Sequence, residues 1–241
     1  MDDALSLDGA RVDDAVFALR PDYRAVLLAV GGLVPGASDD AGEALLRHAE
    51  SSARQRLHER PVEQLPHIAA WREAYRAFGA KPQRTRNSVE ALTRRAEGGL
   101  PRVNRLTDLY NAVSVLHQLP VGGEDFSRYH GAPQLIRAVG TEPFDTTADG
   151  ASVVEYPEVG EVVWCDDAGV TCRRWNWRQA RRTQLSDDTT TALFILDVLD
   201  PMTDEQVHAA AADLTTHLRR LGPDVHIVRR FLTNSPPTQG N

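Results

Sequence analysis

Regular patterning starts near residue 11, where Arg11 to Leu19 and Tyr23 to Leu33 read as two apolar, partly β-branched strands separated by the turn Arg20-Pro21-Asp22. Val26, Leu28 and Val30 recur there at the strand period of two. The pattern changes after Pro35-Gly36. Ser38-Asp39-Asp40 puts acids at the positive end of a helix dipole, and the polar, alanine-rich run to about Arg60 predicts a surface helix. From Pro66 to Phe78, the residues Ile68, Trp71, Tyr75 and Phe78 fall on one helical face, closed by Gly79. Asn87-Ser88-Val89-Glu90 forms a capping box in which Glu90 reaches back to the cap, opening a short helix toward Gly98-Gly99. A further helix is expected from about Thr107 to Gln118.

From Leu119 onward the pattern shortens into strands and turns. Pro120 to Glu124 reads as a loop, Gln134 to Val139 as a strand, and Glu161 to Cys165 pairs with Val170 to Arg174 as a hairpin around Asp166-Asp167-Ala168-Gly169. Ala192 to Val198 is the most apolar strand. Thr203-Asp204-Glu205-Gln206 is a second capping box, ahead of a helix striped by Val207, Ala211, Leu214, Leu218 and Leu221. Val225 to Phe231 reads as a last strand, and 233–241 as a polar, proline-containing tail. Helices in the first half and largely antiparallel strands in the second predict an α+β fold, one compact domain over 1–232. No P-loop, dinucleotide fingerprint, His-Glu-x-x-His or nucleophile elbow occurs.

The charge balance first points away from nucleic acid: 27 basic and 34 acidic residues give a net −7. The average hides an asymmetry. Between residues 71 and 105 lie Arg72, Arg76, Lys81, Arg84, Arg86, Arg94, Arg95, Arg102 and Arg105 against Glu73, Glu90 and Glu97. Arg173, Arg174, Arg178, Arg181 and Arg182 follow in a stretch without an acid. Two basic patches therefore remain as candidate phosphate contacts. The two cysteines, Cys165 and Cys172, are out of register across the expected hairpin, with Val163 facing Cys172 and Cys165 facing Val170, so free thiols are expected and a zinc site is not. No long apolar run and no basic-then-apolar leader is present, which predicts a cytoplasmic protein without membrane contact.

The segment Leu106 to Ser114, followed by Leu119-Pro120-Val121-Gly122-Gly123-Glu124-Asp125-Phe126, carries small and polar residues that a structural helix and loop do not need. Leu109, Val113 and Leu116 satisfy a core face, so Tyr110, Asn111 and Ser114 either face a pocket mouth or bond the neighbouring backbone. This segment resembles the editing, tRNA-interacting domain of the phenylalanyl-tRNA synthetase beta subunit. Thr107-Asp108, Asn111, Pro120 and Asp125 match its motif, and Gly131, Leu135 and Arg137 keep the register that follows. The likeness continues through Asp188-Thr189 and Ala192 to Ile195, covering roughly residues 70 to 200. Trp71 to Tyr75 and the Asn87-Ser88-Val89-Glu90 helix are similar to the free-standing members, which include canavanyl-tRNA(Arg) deacylases. Two departures stand out: Gly122 replaces the motif's histidine, and Asn176 to Arg181 replaces its Gly-Gly-Glu loop.

The resemblance implies a trans-editing deacylase that hydrolyses the ester of a mischarged tRNA, most simply canavanyl-tRNA(Arg), with no metal or nucleotide cofactor. Its partner would be the tRNA acceptor end, not DNA. Ester hydrolysis needs an oriented water and oxyanion donors, which backbone amides can supply. Gly122 and Gly123 are candidate amides, although a tight turn would also select glycine, and Thr189 and Ser114 are candidates for placing the water. A guanidino-like head calls for a carboxylate and neutral polar groups, so Asn111, Pro120, Glu124, Asp125, Asn176 and Arg178 form the expected substrate set, with Asp108 and Glu155 behind. Arg84, Arg86, Arg94, Arg95 and Arg174 are the expected tRNA contacts. In Arg173-Arg174-Trp175-Asn176-Trp177-Arg178, two tryptophans sharing one strand face either stack bases or pack inward. The remaining readings are a non-catalytic tRNA-binding or protein-interaction module, and a deacylase of another mischarged tRNA such as tyrosyl-tRNA(Phe).

Overall fold

Strand pairing decides where the chemistry sits. The computed structural model describes residues 5–234 and is α+β. In chain order the elements are β1 (Arg11–Val12), α1 (Asp14–Leu19), β2 (Arg24–Gly31), α2 (Asp40–Glu59), α3 (Pro66–Ala77), α4 (Ser88–Arg95) and α5 (Arg105–His117). Then come β3 (Val121–Asp125), β4 (Gln134–Arg137), β5 (Phe144–Ala148), β6 (Ala151–Glu155), β7 (Val162–Asp166), β8 (Gly169–Arg173), β9 (Arg178–Gln179), β10 (Ala192–Val198), α6 (Asp204–Leu218) and β11 (His226–Leu232). Among the described residues no helix is long and apolar enough to cross a membrane. The expected tail falls, from residue 235 on, outside the described residues.

One sheet has the order β11-β2-β10-β3 and is antiparallel throughout; a second has the order β1-β4-β7-β8-β9; β5 and β6 form a separate hairpin. The period of two along β10 sorts its side chains between two cores. Leu193 and Ile195, with Ala25, Leu27 and Ala29 of β2, face the second sheet and the aromatic cluster Tyr23, Trp71, Tyr75, Trp164 and Trp175. Phe194, Leu196 and Val198, with Val26, Leu28 and Val30, face α5 and α6 through Leu109, Val113, Val207, Ala211 and Leu214. Trp71 and Tyr23 meet Trp175 edge-on at 5.2 and 5.0 Å between ring centroids, a favourable quadrupole arrangement. Helix α2 is less of a surface helix than its composition suggests, because Leu46, Ala49 and Ala53 pack on Ala112 and Val115 of α5.

Asp39 caps α2, Asn87 caps α4 and the Thr203–Gln206 box opens α6. Four expectations need correction. Arg11 to Leu19 is a two-residue strand and then a helix, since Ala15-Val16-Phe17-Ala18-Leu19 has no period of its own and Asp13-Asp14 favours a helix start. Glu90 does not reach back to the α4 cap; its carboxylate is taken by Arg72 at 2.7 Å and Arg94 at 3.0 Å. A bulge between Trp164 and Cys165 puts Trp164, not Val163, opposite Cys172, while Cys165 does face Val170. Both thiols are free and buried. Finally, Pro120 to Glu124 is not a loop: Val121–Asp125 is the edge strand β3, held to β10 from Leu196↔Val121 to Ala192↔Asp125.

Candidate active site

A cleft of about 510 Å³ opens where the two sheets diverge. Gly122 and Glu124 of β3 and Ile195 and Asp197 of β10 form its floor, Trp164, Cys172 and Gln179 one wall, and Tyr110 and Asn111 of α5 another. Arg84, Arg86, Arg94 and Arg95 form its rim and are exposed. The rim is thus basic, and the floor holds two carboxyls.

The rim is ordered from below. Buried Glu90 draws in Arg94 at 3.0 Å and, at 3.9 Å, Arg86, whereas Arg84 and Arg95 have no acidic partner among the described residues. The wall is shaped by a turn after β8, in which Arg174 and Trp175 adopt left-handed backbone (φ 49° and 69°) that non-glycine residues rarely take. The turn holds because Trp175 N donates to Val162 O at 2.7 Å and Arg174 N to Glu161 Oε1 at 3.1 Å. It ends the expected strand alternation: Trp175 is fully buried, while half-buried Trp177 lines the cleft under Arg174, whose guanidinium lies 4.6 Å from its ring.

On the floor, Asp197 accepts from Tyr23 Oη at 2.6 Å, Asn176 Nδ2 at 3.3 Å and Trp164 Nε1 at 3.4 Å. Glu124 accepts from Tyr129 Oη at 2.7 Å. Burial pushes both carboxyls up to about 7, against the pull of these donors. Burial also raises the Tyr110 phenol and the Cys172 thiol, so the cleft presents neither a phenolate nor a thiolate nucleophile. Asn111 is 7% exposed, and its side chain has no hydrogen-bond partner among the described residues. Its carboxamide is therefore left to the cleft, where water or a ligand can take up its bonds.

The expected site residues divide. Asn111, Gly122, Glu124, Asn176, Arg84, Arg86, Arg94 and Arg95 come together in the cleft. Asn176, however, is engaged internally, accepting from Tyr75 Oη at 2.9 Å while it donates to Asp197. Ser114 is buried and donates to Leu119 O at 2.6 Å. Thr189 lies in a small separate niche and donates to Asp125 Oδ2, and Asp125 also caps Ser127 N at 3.0 Å. Arg174 bonds Thr85 and Glu161, and Arg178 bonds Thr146 and Thr147 of the β5–β6 hairpin. The second basic stretch divides: Arg174 reaches Thr85 beside the rim, whereas Arg181 and Arg182 line another depression with Arg128 and His130. Asp197, Gln179 and Cys172 were not expected at the site; the signal for Asp197 was a carboxylate interrupting the most apolar strand.

The two glycines of β3 serve different ends. Asp197 N donates to Pro120 O and Phe126 N to Thr191 O, so the alternating ladder turns the peptide of Gly122 toward β10. Gly123 faces the outer edge, where its carbonyl accepts from Gln179 Nε2 at 2.8 Å. A Cβ on Gly123 would meet the Tyr110 ring at 2.8 Å and Leu185 at 2.9 Å, whereas one on Gly122 would meet Gln179 Nε2 at 3.4 Å. Gly123→Ala is therefore expected to cost about 1–3 kcal/mol in urea unfolding, with Gly122→Ala nearly neutral. Equal stability of the two variants would mean that Tyr110 does not pack on this strand.

Among the described residues no group of three or more His, Cys, Asp or Glu side chains stands together as a metal site. Fold and cleft together define an α+β domain built around a pocket with a basic rim and an acidic floor. Residues 70–222, more than half of the chain, match the family model described as the B3/4 domain, and the chain belongs to that family. Among solved structures it is similar to an N-terminal fragment of the phenylalanyl-tRNA synthetase beta subunit from Pyrococcus horikoshii, at 13% identity and a TM-score of 0.44. That match covers 92% of this chain and 50% of the other, so the chain spans about half the length of the fragment. No curated protein matches the chain.

Proposed function

We propose that the protein is a free-standing aminoacyl-tRNA deacylase whose preferred substrate is canavanyl-tRNA(Arg). The observation that carries this reading is the cleft itself: exposed arginines at its mouth suit the phosphates of an acceptor end, and the pocket behind them suits one amino acid. The segment that resembles the synthetase editing domain supplies Asn111 and β3 to that pocket.

In the proposed reaction a water oxygen attacks the ester carbonyl carbon, the bond from that carbon to the ribose oxygen breaks, and the ribose oxygen takes up a proton. Free amino acid and intact tRNA result. With the Gly122 amide turned to β10, the unpartnered carboxamide of Asn111 is a donor available for the developing oxyanion. Water placement falls to the floor of the cleft rather than to Ser114 or Thr189, whose hydroxyls are engaged elsewhere.

The test is release of labelled amino acid from canavanyl-tRNA(Arg), arginyl-tRNA(Arg) and tyrosyl-tRNA(Phe), without added metal. Rapid release is expected from the first, and Asn111→Ala is expected to lower kcat about 100-fold while leaving tRNA affinity near wild type. Salt-sensitive tRNA binding with no release from any substrate would replace this reading with a non-catalytic tRNA-binding module.

A further inference from the structure

Eight acidic side chains are buried in the described residues, and they fall into three kinds. Glu50, Glu90, Glu161 and Asp166 are each paired with arginine, through Arg102, Arg72 with Arg94, Arg173 and Arg182. Asp108 and Asp125 accept backbone amides, from Val103 and Ser127. Glu124 and Asp197 have neither a cation nor a backbone amide; their donors are phenol, carboxamide and indole groups. These two line the same cleft. A buried carboxylate without a counter-charge is strongly disfavoured, so positive charge on a ligand would be stabilised at each.

Their placement is specific. Glu124 stands opposite Leu193, and Asp197 lies four positions further along β10 on the same face, about 14 Å along the strand at about 3.4 Å per residue. Both residues line the one cleft, and a flexible stem of a few carbons with a cation at each end is the kind of ligand that would bridge two such acids. Asn111, more than nine-tenths buried and without a partner among the described residues, lines the same space and offers a neutral donor and acceptor.

We propose that Glu124 and Asp197 read two positive charges on one amino-acid ester, the α-ammonium at one carboxylate and a basic side-chain head at the other. The inference rests on the reading of the cleft as an aminoacyl-ester site and names the class of amino acid it takes. Neutral side chains leave one acid without a partner and are rejected for that reason, not by size. The raised ionisation of both carboxyls adds a readout, since arrival of a cation expels a proton.

The probes are lysine methyl ester and norleucine methyl ester, nearly the same shape but differing by one cation, titrated calorimetrically into the full chain. At pH 7 the lysine ester is expected to bind about 10-fold more tightly or better, with proton release measured in two buffers of different ionisation heat. Of Glu124→Gln and Asp197→Asn, one is expected to abolish the preference and the other to weaken both esters alike. Equal affinity for the two esters, or binding of neither, overturns the proposal, and this comparison needs no variant. Because the probes contain no tRNA, a preserved lysine preference without deacylation would overturn the enzyme reading and keep the site. Deacylation of tyrosyl-tRNA(Phe) with no lysine preference would do the reverse.

Discussion

Replacing Arg173 by methionine is expected to cost about 3 kcal/mol of stability, because it removes the bidentate partner of a buried carboxylate and leaves it only the Arg174 guanidinium at 3.6 Å and the Arg174 amide. Glu161 is 3% exposed and Arg173 5%; the guanidinium donates to its two oxygens at 2.6 and 2.8 Å. The same carboxylate accepts from Arg174 N, so it also fixes the left-handed turn that delivers Asn176 to Asp197. The double variant Arg173→Met, Glu161→Leu is expected to recover most of the loss, since removing both partners leaves no orphaned charge. Denaturant unfolding decides. A single variant losing less than about 1 kcal/mol would place this pair among solvated surface bridges.

The second large effect runs the other way. Glu124→Gln is expected to be more stable than the parent at pH 8 and equally stable at pH 4. In the unfolded chain the carboxyl ionises near its ordinary 4.5, whereas burial holds it protonated to about 7 in the folded one. Between those values the folded state binds more protons, so the stability present below pH 4.5 is lost as pH rises through 7. A difference of that size is worth about 3 kcal/mol, and glutamine removes it. Asp197 pulls in the same direction. His67 opposes both: buried between Gln118 O and Leu199 N, it is depressed to about 4, and its share is lost as pH falls below 6.5. Parent and variant share His67, so their difference reads Glu124 together with its coupling to Asp197, whose carboxyl the Glu124 charge helps to raise. A gain at pH 8 combined with a loss of ester binding would identify stability given up for function; parallel pH curves would show that Glu124 is solvated.

Much of this arrangement is legible in the residues. Helices α2, α4, α5 and α6 carry side-chain caps and α3 opens on Pro66, while the strands β2 and β10 show apolar runs bounded by turns. β3 is not legible, because Val-Gly-Gly-Glu-Asp has little strand propensity and becomes a strand only by pairing with β10. The rim arginines, Asn111 and Glu124 were visible as a basic cluster and as polar groups beside an apolar helix face. Ser114, Thr189 and Asp125 looked equally suitable in sequence, but hydroxyls and short carboxylates are readily taken up by nearby backbone and neighbouring side chains, as happens here. Asp197 was hidden by the strand that contains it. That one carboxylate among Ala, Leu, Phe, Ile and Val is a pocket floor depends on which sheet faces it, a long-range fact.

The position of β2 also sets a schedule for synthesis. It is finished at Gly31, yet the strands that flank it, β10 and β11, begin only at residues 192 and 226 and close on it from both sides. Until residues 192–232 leave the ribosome, an eight-residue strand with two apolar faces and two open hydrogen-bonding edges waits without its neighbours. Pairings of such long sequence separation form slowly, so nascent chains of this family member are prone to edge-to-edge association and should depend on chaperones until the final strand is in place.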